Sequence, residues 1–263
     1  MSEDSLRFVG NATTLIRRDG FTVLTDPHFL HQGQRAYFGL GLSARRLLEP
    51  TMQVGDVPPL DAVALSHLHG DHYDRVAHAG LDASVPVVTT VQGARRLGRR
   101  KVRTEGLRTW ESWETAKDGA TLRLTSLPGR HAPGALQAAI PKVMGTMLEF
   151  ERQGRQPYRI YQSGDTLVHD DLREIARRYP DIDLLLLHLG GTRILGVTLT
   201  MDGRRGADFL ELLDITRRTA VLPIHYGEYA LMRSPLSDFR AEVERRGLDL
   251  DVRWVERGGV LAL

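Results

Sequence analysis

The chain has 263 residues, 41% of them hydrophobic and 26% charged, with a formal net charge of +2 at neutral pH. That balance excludes a disordered or membrane-embedded chain and carries no basic stripe of the kind that binds nucleic acid, while the length suffices for one well-buried domain over residues 1–263. Cysteine is absent, which excludes disulfides, thiolate metal sites and cysteine nucleophiles, and leaves imidazole and carboxylate as the metal ligands on offer.

In chain order, strands are expected over residues 6–8, 14–17, 22–25, 62–66, 87–90, 121–127, 145–151, 158–162, 184–188, 220–224 and 252–255, each a β-rich run bounded by turn residues. Apolar residues spaced three and four apart predict helices over 91–99, 172–178, 206–217 and 238–246. The polar stretch 152–157 reads as a hairpin loop, and two strand-rich halves are expected to join near Gly129. The acidic start of the chain lacks an apolar signal region and no apolar run is long enough to span a bilayer, so a cytoplasmic location is expected.

Several of these strands end in a turn residue followed by His or Asp. The apolar run from Asp61 to Ser66 leads into His67-Leu68-His69-Gly70-Asp71-His72, four potential metal ligands within six residues. Strand alternation places His67 and His69 on one face. Gly70 then permits a sharp turn that presents Asp71 and His72 beside them, so each pair can serve one of two neighbouring ions. A solvated polar loop is the competing explanation, but nothing in a loop requires this spacing. A two-ion site needs more ligands, and rigid strand ends aim them best. His131 follows the 121–127 strand and a Pro-Gly turn, Asp165 follows Tyr161-Gln162-Ser163-Gly164, and His225 follows Ala220-Val221-Leu222-Pro223-Ile224. Taken singly, each is as readily an ordinary hydrogen-bonded residue; their order alongside the first motif marks them as ligands.

That order, H-x-H-x-D-H, a later His, a Gly-Asp-Thr after a strand and a final His after a strand, resembles the metallo-β-lactamase superfamily over nearly the whole chain. Leu24-Thr25-Asp26-Pro27, Pro58-Pro59-Leu60-Asp61-Ala62-Val63 and Pro223-Ile224-His225-Tyr226-Gly227 are similar to the branch containing N-acyl-phosphatidylethanolamine phospholipase D and the ascorbate-6-phosphate lactonases. The resemblance implies an α+β fold, a four-layer αββα sandwich of two mixed β-sheets. It implies that His67, His69 and His131 bind a first metal, that Asp71, His72 and His225 bind a second, and that Asp165 bridges. Zinc is the metal expected, and manganese and iron suit the same ligand types. By the same resemblance, Asp26 would hydrogen-bond a ligand imidazole and fix its tautomer. One departure is Gly10-Asn11-Ala12, where members of the branch often carry Gly-His-Ala.

His188 ends the most apolar strand and is followed by Gly190-Gly191, so it is expected to face the site without binding metal and to donate a proton in turnover. The segment 29–48 carries Phe29, Leu30, Tyr37, Phe38, Leu40 and Leu42 among glycines and reads as a lid or pocket wall. Arg45 and Arg46 within it are either a receptor for an anionic substrate group or a solvated pair. His28, His31, His78 and His169 gain no assignment. Two ions would lower the pKa of a bridging water to give hydroxide, with Asp71 orienting the nucleophile, for hydrolysis of an ester, lactone, amide or phosphodiester in a small-molecule or lipid-like substrate. Two alternatives stand beside this. A nuclease of the same fold would bring a basic arm that the charge pattern lacks, and a non-catalytic metal-binding protein would have lost ligands that this chain retains.

Overall fold

The computed structural model describes residues 4–39, 41–138, 140–194 and 196–263. The chain opens with β1 (Ser5–Gly10), β2 (Thr13–Arg18) and β3 (Phe21–Thr25), forms a hairpin of β4 (Arg35–Gly39) and β5 (Leu42–Arg45), and continues through β6 (Ala62–Ala64), α1 (Arg75–Gly80), β7 (Val87–Thr90), α2 (Val91–Gly98) and β8 (Thr104–Leu107). Then come β9 (Ser112–Lys117), β10 (Ala120–Leu127), β11 (Gly145–Arg152), β12 (Tyr158–Gln162), α3 (Arg173–Arg178) and β13 (Leu184–His188). A small pair, β14 (Arg193–Ile194) and β15 (Val197–Thr198), precedes α4 (Gly203–Leu212), β16 (Ala220–Ile224), α5 (Leu236–Arg246), β17 (Asp251–Val252) and β18 (Val260–Ala262).

Two seven-stranded sheets result, in the orders β18-β1-β2-β3-β6-β7-β8 and β17-β16-β13-β12-β11-β10-β9. Each is antiparallel on one side and parallel on the other: β3, β6, β7 and β8 run parallel in the first, and β12, β13, β16 and β17 in the second. Period-two alternation assigns side chains to layers. Leu184 and Leu186 enter the cluster between the sheets, with Phe8, Ile16, Leu122 and Phe150, whereas Leu185 and Leu187 face outward against Ile175, Phe209 and Phe239 of α3, α4 and α5. Val63 and Leu65 likewise turn outward to Ala77 and Leu97 of α1 and α2. A strand buried on both faces reads as an unbroken apolar run, as Leu184 to Leu187 does. The architecture is the expected αββα sandwich. Among the described residues no helix is long and apolar enough to cross a membrane.

The differences from expectation have local causes. The strand expected over 62–66 stops at Ala64, because the Ser66 amide donates to the Asp26 carboxylate (2.7 Å) rather than to a neighbouring strand. The helix expected over 206–217 starts a turn earlier, where Asp202 caps it by accepting from the Arg205 amide (3.0 Å), and stops at Leu212 ahead of Asp214, whose φ of 52° is left-handed. The last expected strand covers only Asp251–Val252. The halves join between Leu107 and Ser112 rather than near Gly129, since β9 and β10 already form a hairpin in the second sheet.

The segment 29–48 is a wall over the edge where β3, β6, β12, β13 and β16 end; Leu40 lies outside the described residues. The Tyr37 carbonyl accepts from the Gly70 amide (2.9 Å). A Cβ on Gly70 would lie 2.6 Å from the Tyr37 nitrogen, and Gly70 is not among the left-handed glycines, so close approach of the hairpin rather than turn geometry demands glycine there. The base of the wall is an ion cluster. Arg46 and Glu228 are both fully buried and 2.7 Å apart, Arg257 meets the other Glu228 oxygen at 2.8 Å, and Arg46 also donates to the Leu30 carbonyl (2.7 Å). Arg46 is thereby committed to the scaffold and unavailable to a substrate anion; Arg45 is exposed. Glu228→Ala would leave the buried Arg46 guanidinium uncompensated, and urea denaturation should show a loss of about 3–5 kcal/mol. A loss below about 1 kcal/mol, the range of surface pairs, would mean that the cluster does not hold the wall.

Candidate metal centre

All seven expected ligands meet at this edge and are nearly closed off from solvent: His67, His72 and His225 are 0% exposed and His69, the most open, 6%. Their ligand atoms fall into overlapping triplets, His67/His69/His131, His67/His72/Asp165 and Asp71/His72/His225, each with its atoms within 4.8 Å of one another. Asp165 spans the cluster. Its Oδ2 is 3.3 Å from His72 Nε2 and 4.0 Å from His67 Nε2, while its Oδ1 is 3.5 Å from His225 Nδ1.

Partners behind the rings fix the tautomers. The Leu199 carbonyl accepts from His131 Nδ1 (3.1 Å) and the Leu189 carbonyl from His225 Nδ1 (3.2 Å). Asp26 Oδ2 lies 3.0 Å from His72 Nδ1. The Ser66 hydroxyl donates to Asp26 Oδ2 (2.9 Å), which leaves its oxygen to accept from His67 Nδ1 (3.0 Å). Each of these rings therefore offers its Nε2 lone pair to the centre. His69 is reversed: its Nδ1 is 2.9 Å from His67 Nε2 and 3.2 Å from His131 Nε2.

Burial pushes the His67 imidazole well below its usual pKa, lowers His69 to about 3 and lowers His131, so all three are neutral at pH 7. Three nitrogen lone pairs thus converge where one proton at most could intervene, an arrangement that a cation satisfies and water-free burial alone does not. In the other triplet burial would lower His72 and His225, but the Asp165 and Asp71 carboxylates win and hold both above the usual range. For Asp71 and Asp165 burial acts upward, yet His72 and His225 hold both carboxyls below theirs. Protons there occupy places that a divalent ion would take over. Asp71 Oδ1, Asp165 Oδ1 and His72 Nε2 are buried with no hydrogen-bond partner among the described residues. The donor set fits a nitrogen and oxygen metal centre.

A further triplet, Asp26/His72/His188, lies behind the centre. Asp26 Oδ2 also accepts from Gln162 Nε2 (2.8 Å), so this carboxylate supports His72 and is already saturated by protein donors. His188 is 0% exposed, with Nδ1 3.2 Å from Ser163 Oγ and Nε2 3.3 Å from Asp26 Oδ2, and its ring stacks behind His72 at 6.1 Å between centroids. Asn11 proves to be part of the frame: its Nδ2 donates to the Asp71 carbonyl (2.7 Å), its carbonyl accepts from the His225 amide (2.7 Å), and its amide donates to Glu228 Oε1 (3.1 Å). Only the Gly10-Asn11-Ala12 departure signalled it; Ser66, Gln162 and Ser163 had no signal beyond standing at strand ends. Asn11, Asp26 and His225 all take left-handed φ values of 49°, 35° and 60°, a conformation these residue types tolerate better than most. It turns each of them sharply out of its strand and into the edge.

The comparisons with known proteins agree with this geometry. The family profile of the Beta-lactamase superfamily domain matches residues 22–226, and the chain belongs to the metallo-β-lactamase superfamily. It is similar to a protein named UPF0173 metal-dependent hydrolase from Pelotomaculum thermopropionicum, 30% identical over 188 residues that cover 70% of this chain and 75% of that one. A UPF0173 metal-dependent hydrolase of Methanopyrus kandleri is 26% identical over 263 residues, 96% of this chain and 97% of its own. Among solved structures, one described as a possible metal-dependent hydrolase from Veillonella parvula superposes with a TM-score of 0.80 at 19% identity, covering 100% of both chains.

If Asp26 holds the ligand frame, Asp26→Asn should weaken metal affinity about 10- to 100-fold, read by chelator competition. Affinity equal to that of the parent would remove Asp26 from the centre.

Proposed function

We propose that this chain is a metal-dependent hydrolase that holds two divalent ions, with His67, His69 and His131 around one, Asp71, His72 and His225 around the other, and Asp165 between them. The observation that carries the reading is the convergence of three neutral imidazole lone pairs beside two buried carboxylates at one sheet edge. Ions bound there supply a water nucleophile that is active near neutral pH and polarise the scissile oxygen. Zinc is the ion proposed; manganese and iron suit the same donors.

The chain's own groups prepare that chemistry. Asp71, with Oδ2 3.3 Å from His225 Nε2 and Oδ1 unpartnered among the described residues, is placed to hold a proton of the attacking water. The hairpin wall excludes bulk water from the edge. His188 has both ring nitrogens engaged by Ser163 and Asp26, so in this reading it positions Asp26 and through it His72, and the proton for the leaving group comes from the attacking water by way of Asp71. The bond cleaved is an ester, a lactone or a phosphodiester. The likeness to the branch of N-acyl-phosphatidylethanolamine phospholipase D rests on the sequence runs alone.

The test is elemental analysis with turnover of bis-p-nitrophenyl phosphate and a simple lactone by the metal-loaded protein. Two ions per chain and hydrolysis of at least one substrate are expected. Asp165→Ala should lose more metal than Asp71→Ala, since a bridging carboxylate serves both ions. Equal metal content in the two variants contradicts the bridge, and full metal with no turnover contradicts the hydrolase.

A further inference from the structure

A cleft of about 570 Å³ reaches the buried centre at His69, the most open of the expected ligands. That volume is typical of a small-molecule site. Its rim is basic. Arg35 of β4, Arg75 of α1, Arg96 of α2, and Arg99 and Arg100 just beyond α2 all line it, and all five are exposed. Some arginines elsewhere pair with carboxylates, as Arg108 does with Glu111, Arg177 with Glu174 and Arg246 with Asp208, while others, such as Arg95 and Arg204, make no such pair among the described residues. The five around the cleft make no such pair among the described residues. Asp74 is the one carboxylate in the lining, and its oxygens are spent on backbone amides, Oδ2 on Phe29 and Leu30 (2.6 Å each) and Oδ1 on Ala77 (2.7 Å).

We infer that this cleft is a subsite for a phosphate group carried by the substrate, adjoining the bond to be hydrolysed. The proposal rests on the hydrolase reading above for the nearby bond, but not for the binding itself. In a chain whose whole formal charge is only +2, five guanidinium groups beside one saturated carboxylate form a local field that draws an anion to the mouth of the site. The class of anion follows from the number and origin of the arginines. One guanidinium fork satisfies a carboxylate, whereas a phosphate monoester carries about −1.5 to −2 charges and three peripheral oxygens that accept from several forks at once. Arginines from a strand, a short helix and the end of a second helix line the space. Arg35 is held in advance: its Nε donates to Ser43 Oγ (2.9 Å) and its Nη2 to the Ser43 carbonyl (2.8 Å). The bounded size of the cleft favours a small phosphorylated substrate over a nucleic acid strand, which needs an open groove.

Isothermal titration of the metal-loaded protein with phenylphosphonate, and with uncharged benzyl alcohol as the control, tests the subsite. Phenylphosphonate should bind and benzyl alcohol should not. The double variant Arg96→Ala/Arg99→Ala should keep its metal content and lose at least tenfold in phenylphosphonate affinity, and Arg75→Ala, made separately, should also weaken it. Retained affinity in both variants would mean that the metals alone hold the anion, and overturns the proposal. A single-stranded oligonucleotide whose affinity grows with length and far exceeds that of phenylphosphonate would overturn it too, in favour of a polymer. Arginine-dependent binding without turnover of any ester, lactone or phosphodiester would leave the subsite standing and sink the hydrolase; turnover with arginine-independent binding would do the reverse.

Discussion

Asp26 is the single contact on which the site depends. Fully buried after β3, its carboxylate accepts from the Ser66 amide and hydroxyl after β6, from Gln162 at the end of β12, and lies against His72 and, from β13, His188. It thus ties four strand ends drawn from both sheets. Burial alone would favour the neutral acid, but the charge and hydrogen bonds of His72 and His188 outweigh it and keep the carboxyl below its usual range. A buried charge is tolerable only when it is surrounded by donors in this way. The constraint therefore runs in both directions: the donors must be where they are for the carboxylate to be stable, and the carboxylate fixes the backbone that aims the ligands.

The Glu228 cluster acts as a second tie at a distance from the first. It joins Arg46 at the foot of the wall, Arg257 near the chain's end and the amide of Asn11. Gly10, with a φ of 143° and a position where a Cβ would come 2.9 Å from Glu228 Oε1, lets the chain pass this close. Asn11 then hands the constraint on to Asp71 and His225. The wall, the first turn of the chain and two of the seven expected ligands are consequently one mechanical unit. The cleft beneath the wall inherits its shape from that unit.

How much of this could be read from residues alone depended on sequence distance. His67, His69, Asp71 and His72 declare themselves because their spacing is local, and Asp165 and His225 because each follows a clear apolar strand. The groups that hold them are different: Asn11 meets Glu228 across 217 positions, and Gln162 meets Asp26 across 136. No periodicity encodes such pairs. Two strands at the sheet margins are also illegible, since the largely exposed β9 carries only Trp113 and Ala116 as apolar residues and β18 is three residues long. Arg46 shows how far sequence can mislead, because an arginine beside an exposed arginine reads as a solvated pair or an anion receptor until its buried partner is seen.

Whether this edge holds two ions is read by anomalous diffraction from crystals of the metal-loaded protein, collected at the absorption edge of the bound metal. Two anomalous peaks per chain are expected, one enclosed by His67, His69 and His131 and the other by Asp71, His72 and His225, with Asp165 between them. A single peak, or peaks away from these side chains, would contradict the two-ion centre.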